Sequence, residues 1–157
     1  GQAKHTKRTA LIRNQLGTLT VQTQKPAFLL VPTNQSLVTD PPLPAPTIAV
    51  DHYKCYAVKI APGTTKFPKG VTVTLADQFI VAPKVFAVKK PTHLCTPVDK
   101  NGEGITHGVV HQLCYRVKPI VKNPQHPDLF VHTQFGAERL DATKEERLCV
   151  PSLKTVL

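Results

Sequence analysis

Apolar and polar residues alternate along short stretches of this chain, and apolar residues rarely recur at the three-to-four spacing of a helix. Residues 52–59, HYKCYAVK, and 111–118, HQLCYRVK, interleave aromatic or β-branched residues with polar ones. VTVTL at 71–75 and LFVHTQF at 129–135 do the same. AFLLV at 27–31, VFAV at 85–88 and ERLCV at 146–150 are short apolar runs of strand length. Each pattern predicts a strand buried on one or both faces. Pro62-Gly63, Lys69-Gly70, Asn101-Gly102 and the run DPPLPAP at 40–46 mark turns and a stiff link between them. Only ATKEERL at 142–148 has a helix-like composition, and its place in the repeat described next makes it a strand as well. Fifteen prolines argue the same way, because proline interrupts helices and central strands. The expectation is an all-β fold, a sandwich or barrel of short strands.

The strand segments recur. Residues 14–32, NQLGTLTVQTQKPAFLLVP, align without a gap on residues 133–151, TQFGAERLDATKEERLCVP: Gln15 meets Gln134, Gly17 meets Gly136, and Val31-Pro32 meets Val150-Pro151. Residues 77–97 form a third instance, in which Gln78-Phe79 takes the Gln-Phe place and Lys90-Pro91 matches Lys25-Pro26, with two extra residues in the middle. HYKCYAVK and HQLCYRVK open two of the copies and are absent from the first. The unit reads H-x-x-C-Y-x-V-K, a variable loop, a Q-F-G-like turn, then L-C-x-P. A repeat of this length signals one supersecondary unit used several times, here about three strands per copy. The expected organisation is a tail and incomplete first copy over 1–39, a proline-rich link over 40–50, and a main β domain over 51–157.

Cys55 and Cys114 hold one repeat position, Cys95 and Cys149 the other. In the first copy Leu30 stands at the second position and the CYxVK strand is missing, so both halves of a pair vanish together. Bridges within copies, Cys55–Cys95 and Cys114–Cys149, follow in preference to a cross-pairing such as Cys55–Cys149. Loops of this length contribute on the order of 4 kcal/mol each through the unfolded state. No CxxC or paired Cys/His spacing suggests zinc or haem.

Together the CYxVK, DQFG-like and LCVPxxK motifs resemble the repeat signature of a family of uncharacterised secreted bacterial proteins, a domain of unknown function. The resemblance covers 51–157 well and 14–38 in part, and implies an extracellular setting, secreted or at the cell surface. It implies no activity.

Charge narrows the partners. The net charge is +10, which favours anionic partners such as nucleic acid, cell-wall polymer or lipid headgroups. The tail GQAKHTKRTALIR supplies four of the cations and no acid. Lys54, Lys59, Lys89, Lys90, Arg116, Lys118 and Lys122 are scattered over several strands without a recognisable nucleic-acid module, so nucleic acid is not an expected partner. No apolar run approaches the roughly 18 residues of a membrane helix. Only Ser36 and Ser152 are serines, neither in a nucleophile elbow, and no phosphate-binding glycine loop is present. The chain reads as a non-enzyme without a cofactor.

Two metal-like patterns remain. His107 and His111 share a strand face if that segment is a strand, and His93 or His52 could join them. The repeat places Phe28 and Arg147 where His93 stands, so such a site would not recur. Asp99, Asn101 and Glu103 sit at the first, third and fifth places of a calcium-type loop, but its twelfth place is Val110 instead of glutamate. A tight Asn-Gly turn explains the same residues.

The leading functional expectation is an extracellular structural subunit, of a filament, sheath or surface layer, assembling by strand complementation. A copy without its CYxVK strand leaves an open sheet edge, and open edges are paired, covered or prone to aggregate. Thr9, Leu11, Ile12 and Arg13 of the tail are the candidate strand that fills an edge, in their own chain or in a neighbour. The alternative is a monomeric secreted module for an anionic glycan or cell-wall polymer.

Overall fold

The computed structural model describes residues 4–42, 50–79, 82–122 and 126–157. These form ten strands: β1 Thr9–Asn14, β2 Gly17–Leu30, β3 Asn34–Ser36, β4 His52–Ile60, β5 Thr72–Leu75, β6 Lys84–Val98, β7 His111–Pro119, β8 His126–Thr133, β9 Gly136–Ala142 and β10 Arg147–Val156. Six of them pair in a closed antiparallel ring, β1-β2-β4-β6-β7-β10 and back to β1, which makes the fold a barrel. β5 lies along the free part of the β6 edge, and β3, β8 and β9 form a small second sheet.

β2 and β6 are long because each serves two neighbours in succession, and both bend at the same repeat position. The register of β2 on β4 shifts around Lys25 and Pro26, and that of β6 on β7 shifts around Pro91. Proline has no N–H to give the ladder, so a bulge is where a strand tolerates it. In the third copy Lys144-Glu145 takes this place and the strand stops altogether. Residues 143–146 belong to no strand, which corrects the expectation of a continuous strand over ATKEERL. β9 pairs with β8 in the small sheet while β10 pairs with β7 and β1 in the barrel, so the chain must cross between sheets there. The middle copy therefore has three strands and the third has four.

Three ring strands, β4, β6 and β7, send buried residues to both faces. Leu113, Cys114 and Tyr115 are consecutive and all fully buried, which an amphipathic strand cannot achieve with only one face covered. One face feeds the main core of Ile12, Val21, Phe86, Leu94, Leu113, Tyr115 and their neighbours. The other feeds a smaller core of Tyr53, Cys55, Cys95 and Cys114, against which Phe28, Leu30 and Cys149 pack. The disulfides are Cys55–Cys95 and Cys114–Cys149, each between residues directly opposite on adjacent strands, and the Sγ atoms of Cys95 and Cys114 are 3.8 Å apart. Leu30 fills the third equivalent place with an apolar side chain.

The first copy is not a separate unit. Ile12 and Val21 share the main core with residues of both later copies, so the expected boundary at 40–50 divides no core. Of that link, 43–49 lie outside the described residues. Nor is the tail a loose extension. β1 pairs with β2 from Thr9↔Gln22 to Asn14↔Gly17 and with β10 from Ala10↔Val156 to Arg13↔Leu153. Asn14 Nδ2 donates to both Tyr115 Oη and Ser152 Oγ at 3.0 Å, tying β1 to β7 and β10 by side chains. Upstream, the Thr23 amide donates to the Arg8 carbonyl at 2.9 Å, and His5 reaches Thr23 Oγ1.

Ile12 is wholly buried in the middle of this strand. Ile12→Ala is expected to lower unfolding free energy by about 2–5 kcal/mol in a guanidinium titration; a change below about 0.5 kcal/mol would mean that β1 is not part of the core.

Candidate functional site: the boundaries between copies

Successive copies meet through one repeated interaction, the long strand of one copy against the CYxVK strand of the next. On β2 and β4 the partners are Val21↔Ile60, Phe28↔Cys55 and Leu30↔Tyr53. On β6 and β7 they are Phe86↔Pro119, His93↔Cys114 and Cys95↔Gln112. The repeat maps each member of the first set onto the corresponding member of the second. Within copies the match is as close, with Cys55↔Cys95 and Ala57↔His93 on one side, Cys114↔Cys149 and Arg116↔Arg147 on the other.

The long strand of the third copy is split: its β10 half is paired by β7 and β1, whereas its β9 half has no such partner among the described residues. β9 is the edge strand of the small sheet, paired to β8 on one side only. Leu140 occupies the repeat position of Val21 and Phe86. Those two are 0% and 1% exposed, whereas Leu140 is 44% exposed. The turn residue Phe135 is 75% exposed, while its equivalents Leu16 and Phe79 pack against the main core. The turn itself is the same, since Gly17 and Gly136 have φ of 120° and 123°, a region that disfavours any residue with a Cβ. What differs is the missing cover, and with it two apolar side chains stand in solvent.

β9 is not an indiscriminate edge. Glu138, Arg139 and Asp141 flank Leu140, and charged edge strands resist casual pairing. Arg139 pairs with Asp128 at 2.6 Å and lies over the Phe130 ring. Asp141 holds the position of Gln22 and Ala87, whose partners are Lys59 and Lys118 of the CYxVK strands. A strand of that type set on β9 in the repeated register brings its lysine opposite the Asp141 carboxylate.

A family model for a repeat of unknown function (DUF7450) matches residues 1–151. The chain belongs to this family. No curated protein and no solved structure matches it. In this DUF7450 chain the repeat is thus visible both in the residues and in the registers of its strands.

The other candidate residues are placed as follows. Thr9, Leu11, Ile12 and Arg13 all lie on β1, between β2 and β10 of their own chain, so of the two ways of filling an edge the described structure holds the one within the chain. His93 does not approach His107 and His111 in a ligand set, and among the described residues no three His, Cys, Asp or Glu side chains converge as metal ligands. Instead the three equivalent positions meet each other: the rings of Phe28 and His93 are 4.9 Å apart, and the Arg147 guanidinium lies 5.4 Å from the Phe28 ring. Burial, and then the Arg147 charge, hold the His93 pKa below its usual value. The Asp99–Gly104 loop closes on itself. Asp99 accepts the Gly104 amide, and Glu103 takes Lys100 and, at 3.6 Å, His52; Asn101 supplies the turn with φ of 58°. Asp51 accepts the Thr106 and His107 amides at 2.6 and 2.7 Å. Burial opposes ionisation of Asp51, but these bonds and His107 outweigh it, and its pKa is lowered.

The repeat alignment alone does not reveal the exposed edge, although one residue signals it. Glu138 stands where the first copy has the buried Leu19, so the third copy is polar at a position that the first sends to the core.

His111 is buried, its Nδ1 has no hydrogen-bond partner among the described residues, and burial followed by the Lys154 charge lowers its pKa to about 4. A histidine whose folded pKa lies below its unfolded value near 6.5 resists protonation only while folded. Its contribution is therefore complete above about pH 6.5 and is lost as pH falls toward 4. Stability should drop over that window by up to about 2 kcal/mol on this account, and His111→Gln should flatten the dependence in denaturant titrations at stepped pH.

Proposed function

We propose that the chain is an extracellular, non-catalytic structural module that joins to further copies of its repeat by accepting a CYxVK-type strand along β9. The observation that carries this reading is the exposure of Leu140 at a position where the first and second copies are sealed by such a strand. Main-chain hydrogen bonds at the end of β9, residues 140–142, would supply the affinity, and Leu140 with Asp141 the register, as in other cases of strand addition. β4 and β7 are each paired along both edges, so the incoming strand is one that is not already engaged in a barrel. Two disulfides support the extracellular setting, because such bonds persist in oxidising compartments. Among the described residues no helix is long and apolar enough to cross a membrane.

A synthetic peptide with the sequence of residues 111–119 and Cys114→Ser tests this. It should bind the full chain saturably, with protection of β9 amides, and Asp141→Lys should weaken binding at least about tenfold through like-charge repulsion against the peptide lysine. Equal binding of a scrambled peptide, or no effect of Asp141→Lys, would contradict the reading.

A further inference from the structure

β4 and β6 pair only from His52↔Val98 to Ala57↔His93. Beyond that point the bulge at Lys89 and Lys90 carries β6 toward β5, while β4 continues along β2 to Ile60. The two strands part, and the loop over 61–71 spans the opening. The result is a cleft of about 1290 Å³ whose lining includes Phe67, Val88 and Val117.

Its walls are basic. Lys59 comes from β4, Lys89 and Lys90 from β6, and Arg116 and Lys118 from β7. Five of the seven cations that look scattered in the sequence are thus gathered in one place, and the loop adds Lys66 and Lys69. All seven are exposed, and among the described residues none of them is in an ion pair. Lys144, Glu145 and Glu146 stand at the same cleft, where Lys144 pairs with Glu146 at 2.6 Å. Two carboxylates do not balance this set of cations.

A concave surface with one sign of charge raises the local concentration of oppositely charged ligands well beyond what single exposed charges do. β6 and β7 remain paired here, so their cations stand on strands about 4.8 Å apart, while Lys59 faces them from the strand that has moved away. Bases would need a stacking platform. Among the described residues the one aromatic ring in the cleft, Phe67, is half-buried and packs on Tyr115 with the ring centroids 5.1 Å apart.

We infer that the cleft between β4, β6 and β7 binds an acidic polysaccharide. The site is separate from the β9 edge, so either can fail without the other. Polygalacturonate is a suitable probe, with uncharged dextran and single-stranded poly(dT) as comparisons, each added to the intact chain in calorimetric or fluorescence titrations. Polygalacturonate should bind, dextran should not, and affinity should fall at least about tenfold between about 50 and about 500 mM salt. The triple variant Lys89→Gln, Lys90→Gln, Arg116→Gln should lose at least about tenfold in affinity. A control with the same loss of charge in the tail, Lys4→Gln, Lys7→Gln, Arg8→Gln, should change it less than about twofold. Equal losses in the two variants would show attraction to net charge without a site. Tighter binding of poly(dT), or no binding of polygalacturonate, would also overturn the assignment. Circular dichroism of both variants guards against unfolding as the cause.

Discussion

The fold depends on one constraint, that the backbone groups along the edge of a long strand must find partners. In the first and second copies that partner is the CYxVK strand of the following copy, met at one register. The closed ring then follows from a local rule applied twice, with β1 sealing the gap between β2 and β10. Where the rule runs out, at the third copy, β9 is left as an edge and an apolar side chain is left in water. The same constraint that builds the barrel thus defines where a further strand would go.

Burial on both faces explains why the unit carries cystines. A strand reading Leu-Cys-Tyr over 113–115 sends its outer side chains to the main core and its cysteine to the other face. That second core is small, and its members are too few to be held by area alone. Two cross-strand bridges supply what packing cannot, and Leu30 completes the cluster where the first copy has no strand to bridge to. Above it, Phe28, His93 and Arg147 show that the three copies converge even where their side chains have diverged.

Much of this was legible in the residues, because period-two patterns and a repeat depend on local chemistry. The strands at CYxVK, the within-copy disulfides and the all-β class all rest on alternation and on positions lost together. The barrel's closure was not legible, since it depends on β1 lying between strands that are distant in sequence. ATKEERL predicts a strand only by analogy with copies that carry Lys-Pro there, whereas the third copy has Lys-Glu and changes sheets at that place. The basic cleft was invisible for a similar reason: Lys59, Lys89 and Arg116 are far apart in the chain, and only the divergence of β4 from β6 brings them together.

Amide hydrogen exchange resolved residue by residue on the isolated chain tests the central claim directly. If β9 is an unfilled copy boundary, its amides directed away from β8 should exchange at least about a thousandfold faster than those of β2 and β6 at the equivalent positions. Protection of β9 equal to that of Val21 and Phe86, in a chain shown to be monomeric, would mean that its outer edge is already satisfied and that no strand is awaited there.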